Sequence, residues 1–144
     1  MDSFVLTIFG ITGNLAQIKL LPALYDLEVA GMLPAKMQII GNARSPMTQT
    51  EIRNYVQDAL TKALTSKHRR AQTKALNRLL KRIHYIDGHL DDPEFYKKLK
   101  KYINQNRFRQ GADNRIYYLA TYPSLYPHIF ENLKATKLNH QSKG

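Results

Sequence analysis

Apolar positions along the chain switch repeatedly between two spacings. Phe4-Val5-Leu6-Thr7-Ile8-Phe9 is almost unbroken in apolar and β-branched residues, as in a parallel strand covered on both faces, and Gly10 ends the run. From Leu15 to Ala30 the residues Leu15, Ile18, Leu20, Leu21, Leu24 and Leu27 recur near the helical period, with Gly31 at the end. Pro22 removes a helical hydrogen bond, so a kink or restart is predicted there, with Pro22 in the first turn of the second piece.

Met37 to Gly41 reads as a second strand. Thr48-x-x-Glu51 then has the form of a capping box opening a helix from about Gln49 to Leu64. His68 to Arg82 is predicted as an amphipathic helix with Ala71, Ala75, Leu76, Leu79 and Leu80 on one face and its bases in solvent. Ile83 to Ile86 reads as a third strand, Pro93 to Asn106 as a helix, and Arg115 to Ala120 as a fourth strand. A last helix runs from about Leu125 to Lys134, with Ser124 as its N-cap.

Strands alternating with helices predict a doubly wound, Rossmann-like α/β fold with a parallel sheet in the order 3-2-1-4. The 144 residues, 43% of them hydrophobic, suffice for one soluble domain. Residues 1–138 form that domain and 139–144 a loose end. Without cysteine, disulfides and cysteine-bound zinc are excluded, and a cytoplasmic setting is expected. The acid at Asp2 and the short apolar run Phe4 to Phe9 do not make a signal peptide or a membrane span.

A net charge of +11 raises the alternative of a basic nucleic-acid-binding module. The excess is local, however. Between Asp58 and Asp87 there is no carboxylate, while Lys62, Lys67, Arg69, Arg70, Lys74, Arg78, Lys81 and Arg82 supply eight positive charges. The tyrosines Tyr85, Tyr96, Tyr102, Tyr117, Tyr118, Tyr122 and Tyr126 sit mostly in strands or at helical spacing, which favours a core over a base-stacking platform. Lys97, Lys98, Lys100 and Lys101 read as the wet face of a helix whose Phe95, Leu99, Tyr102 and Ile103 point inward.

The first strand–helix turn, Gly10-Ile11-Thr12-Gly13-Asn14-Leu15-Ala16, carries the candidate chemistry. In this architecture the turn holds a pyrophosphate on free N–H groups, and glycines permit close approach. Gly13 and Ala16 fill the second and third small positions of the dinucleotide fingerprint, although Gly10 lies one residue early. The second strand ends Gly41-Asn42-Ala43-Arg44-Ser45, without the acid that binds the ribose of NAD. Arg44 there suits a 2′-phosphate, because its planar fork binds phosphate and stacks on adenine.

Together these segments resemble the N-terminal part of the glucose-6-phosphate dehydrogenase family. The resemblance rests on Phe9 to Ala16 with Lys19-Leu20-Leu21-Pro22-Ala23-Leu24-Tyr25, on Gly31-Met32-Leu33-Pro34, on Ile39 to Ser45, and on Tyr117 to Tyr126. It implies NADP on the turn formed by Gly10, Ile11, Thr12, Gly13, Asn14, Leu15, Ala16 and Gln17, with Arg44 on the 2′-phosphate. It also implies Lys19 pointing towards the phosphates, and Tyr126 with the strand end Leu119-Ala120-Thr121 near the cofactor. Asn14 replaces the family's Asp, and asparagine too caps helices. Tyr122 replaces the first of two prolines.

In the family, a Glu-Lys-Pro segment reaches substrate and nicotinamide, and a later His paired with Asp takes a proton from the sugar. Neither occurs in these 144 residues, and none of His68, His84, His89, His128 and His140 lies in that motif. No catalytic residue and no metal ligand is therefore assigned, and the catalytic substrate domain is expected to lie outside these residues. The chain alone is expected to bind NADP(H) without oxidising glucose 6-phosphate. Without a following strand, the fourth strand is expected to be an edge that invites self-association. Nucleic acid and membrane are not expected partners.

Overall fold

A computed structural model describes residues 3–105, 108 and 114–139 of the chain. Four parallel strands, β1 (Val5–Phe9), β2 (Gln38–Ala43), β3 (Ile83–Asp87) and β4 (Arg115–Leu119), form one sheet in the order β3-β2-β1-β4. The doubly wound order read from the sequence is the one observed. β1 lies at the centre, with Val5 opposite Gln38 on one side and Arg115 on the other. Its five residues are all buried, which is why it lacks the polar alternation of a half-exposed strand.

Leu6 and Ile8 face one core, which α1 (Leu21–Val29), α2 (Gln49–Thr65) and α3 (Thr73–Lys81) close. Val5 and Phe9 face the other, under α4 (Pro93–Ile103) and α5 (Tyr126–Ala135). Phe95, Leu99 and Ile103 are buried as expected, and Tyr96 joins them with its hydroxyl donating to the Leu90 carbonyl at 2.6 Å. Burial pushes the Tyr96 hydroxyl far above its ordinary pKa, so it remains a donor.

The predicted restart at Pro22 takes a specific form. A π-helical turn, Ala16–Leu20, precedes α1, and the Leu21 N–H reaches back five residues to Ala16 O. Pro22 follows in the first turn of α1, in a run already helical from Asn14, and its missing N–H falls where the π-helical turn interrupts the regular ladder. The wider turn adds a residue and rotates the preceding segment by roughly 100° against α1. Leu15 and Ile18, predicted on the buried stripe, are accordingly 42% and 60% exposed. Leu27 is 36% exposed as well. Gly31, at φ +68°, then ends α1: its N–H donates to Glu28 O and that of Met32 to Leu27 O.

The capping box of α2 is complete, since Thr48 Oγ1 accepts from the Glu51 N–H and Glu51 Oε1 accepts from the Thr48 N–H. The basic segment is not one helix. Arg69 N–H closes α2 on Leu64 O, His68 is left-handed at φ 56°, and α3 starts only at Thr73. Nor is all its charge in solvent. Arg82 is buried and bonds both oxygens of buried Glu28, at 3.2 and 3.1 Å, whereas Arg69 pairs with Asp26 at the exposed surface.

The expected cap at Ser124 is also different. A 3₁₀ turn, Pro123–Leu125, holds Ser124 within it, and α5 begins at Tyr126 without a side-chain cap. Pro127, with no N–H, removes one of the two donors that a cap at Ser124 could have used. The expected helix end at Asn106, His140 and the stretch 140–144 of the expected loose end lie outside the described residues.

Candidate cofactor-binding site

Because β1 and β2 end side by side while β4 lies on the opposite flank of β1, the loops after β1 and β4 separate at the carboxyl end of the sheet. A crevice at such a switch point is where doubly wound sheets bind ligands. A cleft of about 540 Å³ opens there. Gly10, Thr12, Gly13, Asn14 and Leu15 form its floor, Ala43 and Arg44 one wall, and Ala120, Thr121 and Tyr122 the other.

Gly10 can be nothing but glycine. Its φ is +89°, and a Cβ there would stand 2.5 Å from the Ala120 carbonyl oxygen. At Gly13 a Cβ would stand 3.3 Å from Gly10 O and 3.4 Å from Ala120 O, so the turn lies close against the end of β4. The Gly10 and Ile11 N–H groups both donate to Asn42 O, at 3.0 and 2.9 Å. The Gly13 N–H is used on Gly10 O, and the Gln17 N–H on Gly13 O. Asn14 and Leu15 stand in the first helical turn, where N–H groups have no partner within the helix, so their donors remain for a ligand. Gly13, whose carbonyl accepts the first helical bond, occupies the capping position expected of Asn14.

Arg44 is exposed in the cleft wall and forms no ion pair among the described residues. Among the described residues no carboxylate lines the cleft. A turn that a Cβ would block, free N–H groups and an unpaired guanidinium together fit a phosphorylated dinucleotide.

Seven of the residues singled out in the sequence therefore share the cleft: Gly10, Thr12, Gly13, Asn14, Leu15, Arg44 and Ala120. Five do not line it. Ile11 is fully buried, and its side chain lies over Gly41, where a Cβ would stand 2.5 Å from Ile11 Cδ1. Ala16 is buried in the core, and Gln17 turns back to the Thr12 carbonyl. Lys19 is exposed on the π-helical turn. Tyr126 packs on the α4–α5 core, its ring 6.2 Å from that of Phe130.

Asn42 was not singled out as a site residue. Buried at the end of β2, it bonds the Ile86 and Gly88 carbonyls through Nδ2, at 3.2 and 3.3 Å, and carries the turn on its own carbonyl. A polar side chain after the apolar pair Ile39-Ile40 of the strand was the available signal. Leu90 lines the cleft without any motif to mark it, and Leu125 lines it within the Tyr117 to Tyr126 segment.

A model of the family described as "Glucose-6-phosphate dehydrogenase, NAD binding domain" matches residues 7–144. The chain belongs to the glucose-6-phosphate dehydrogenase family. Within it, these residues are the NAD(P)-binding domain, and the family assignment supports NADP as the cofactor. Glucose-6-phosphate 1-dehydrogenase 5 of Arabidopsis thaliana, named as cytoplasmic, is 34% identical over 99% of this chain. The crystal structure of glucose-6-phosphate 1-dehydrogenase from Mycobacterium avium superposes with a TM-score of 0.80 at 30% identity over 96% of the chain. A second dehydrogenase of the family, solved in complex with its substrate glucose-6-phosphate, gives 0.78 at 33% identity over 94%. The chain spans 28% of the length of each of these three relatives.

Proposed function

We propose that the cleft binds NADP in preference to NAD, with the diphosphate on the Gly10–Gly13 turn and the 2′-phosphate on Arg44. The observation that carries this reading is the pairing of a blocked-Cβ turn with an unpaired arginine, at a strand end that offers no acid to a ribose hydroxyl. Arg44→Ala is expected to remove most of the preference, about 1.5 to 3 kcal/mol or roughly ten- to a hundredfold in Kd. Calorimetry with both cofactors measures it. Equal affinities in the unaltered chain would remove Arg44 from the site.

The reaction proposed for the family-length enzyme is oxidation of glucose 6-phosphate to its lactone, supported by the names of the relatives and by the substrate complex of one of them. Bound NADP supplies the hydride acceptor. None of His68, His84, His89 and His128 lines the cleft, so these residues alone are proposed to hold cofactor without turnover. A cytoplasmic setting belongs to the same proposal and draws on relatives named as cytoplasmic. Among the described residues no helix is long and apolar enough to cross a membrane.

Self-association through β4 is a further part of this reading. Among the described residues β4 pairs only with β1, and Ile116 on it is 48% exposed. A strand without an outer neighbour offers free N–H and C=O groups to a second copy. Sedimentation should show association that grows with salt, as the repulsion from a net +11 is screened, and Ile116→Lys should abolish it. A monomer at high concentration and high salt would refute it.

A further inference from the structure

Two of the loops that line the cleft, those after β1 and β2, each have a backbone carbonyl held from behind by a tyrosine. Thr12 lies in the glycine turn, and its carbonyl accepts from the Tyr55 hydroxyl of α2 at 2.9 Å and from Gln17 Nε2 at 3.0 Å. Gln17 Nε2 also donates to the Tyr55 oxygen, which closes a three-membered network. Ser45 follows Arg44, and its carbonyl accepts from the hydroxyl of Tyr85, which is buried on β3. Neither tyrosine lines the cleft.

A phosphate is repelled by carbonyl oxygens and attracted by N–H groups, so the direction of each peptide in such a loop decides its affinity. In the glycine turn the carbonyls of Gly10, Thr12 and Gly13 are all engaged: the first by Gly13 N–H, the second by Tyr55 and Gln17, the third by Gln17 N–H. Of these three carbonyls, only that of Thr12 depends on a side chain from another helix. Beside the Arg44 wall, the Ser45 carbonyl is tied to β3, which fixes the backbone next to Arg44.

We propose that Tyr55 and Tyr85 are positioning residues, one for each phosphate-binding loop: Tyr55 with Gln17 orients the diphosphate turn, and Tyr85 orients the Arg44 loop that receives the 2′-phosphate. This rests on the cofactor reading above. It assigns the two tyrosines separable effects, because NAD shares the diphosphate with NADP and lacks the 2′-phosphate.

The test is the affinity of the 144-residue chain for NADPH and NADH, measured for the unaltered protein and for Tyr55→Phe, Gln17→Ala, their double variant and Tyr85→Phe, with a thermal melt of each. Tyr55→Phe should weaken both cofactors by a similar factor of about three to ten, the worth of one hydrogen bond. Because Gln17 acts on the same carbonyl, the double variant should be weaker than either single change but fall short of their product. Tyr85→Phe should weaken NADPH by a similar factor and NADH by clearly less, since NADH lacks the 2′-phosphate and keeps only the adenine contact of Arg44. Equal weakening of both cofactors by Tyr85→Phe, in step with a lowered melting temperature, would mean a merely structural role and overturn the proposal for Tyr85. Unchanged affinities in Tyr55→Phe and Gln17→Ala would overturn it for the turn. If the unaltered chain binds NADPH and Arg44→Ala loses it while the tyrosine variants do not, only this inference fails. If the unaltered chain binds neither cofactor, the reading of the cleft fails and the inference with it.

Discussion

Alanine at Gly10 should abolish dinucleotide binding and destabilise the domain by at least about 2 kcal/mol. A left-handed backbone costs an L-residue roughly 1 to 2 kcal/mol by itself. At φ +89° a Cβ would also stand 2.5 Å from Ala120 O, and that carbonyl cannot withdraw freely because the Ala120 N–H is bound to Phe9 O at 2.9 Å. Relief requires β1 and β4 to part where the cleft opens, or the turn to lift towards the ligand. Gly31→Ala is the matching control. Its φ is +68°, but nothing lies within 4 Å of its Cβ, so it carries the conformational penalty without the collision. Urea unfolding of both variants with cofactor titration checks the argument; a Gly10→Ala protein no less stable than Gly31→Ala, and still binding, would refute it.

Arg82→Met should cost about 3 kcal/mol, the lower part of the range for a broken buried ion pair. Arg82 donates to both oxygens of Glu28 and, through Nη1, to the carbonyls of Pro34 and Met37 at 2.6 and 2.9 Å. Without it a carboxylate that is 2% exposed loses its near partner, and two loop carbonyls lose their donor. Arg78, whose Nε lies 3.7 Å from Glu28 and whose side chain is 55% exposed, keeps part of the compensation, which is why the lower figure applies. The double variant Glu28→Leu with Arg82→Met should recover much of the loss, since the uncompensated charge goes with the acid. Denaturant midpoints of the two variants beside the unaltered protein decide. A double variant as unstable as Arg82→Met would show that the loop carbonyls, and not the carboxylate, set the cost.

The sequence by itself determined the architecture and the identity of the central elements of the site. Local patterns suffice for this: an unbroken apolar run makes a strand covered on both faces, a capping box sets a helix start, and their alternation restricts the sheet to a right-handed doubly wound order. Gly10 and Gly13 were visible because a backbone that must pass close to a carbonyl leaves no choice of residue, and Arg44 because an acid was missing where NAD sites carry one. The tertiary structure alone decided how those pieces are held. Tyr55 reaches Thr12 across 43 residues, Tyr85 reaches Ser45 across 40, and Arg82 reaches Glu28 across 54. In the sequence each is an ordinary tyrosine or a base in a basic run. Whether a polar side chain ends in solvent or on a distant carbonyl depends on how two elements dock, and periodicity within one element carries no information about that. The π-helical turn shows the same limit from within a helix: Pro22 marked the interruption, but the extra residue in the turn, and the rotation that left Leu15 at the cleft and Ile18 in solvent, appear only in the folded chain.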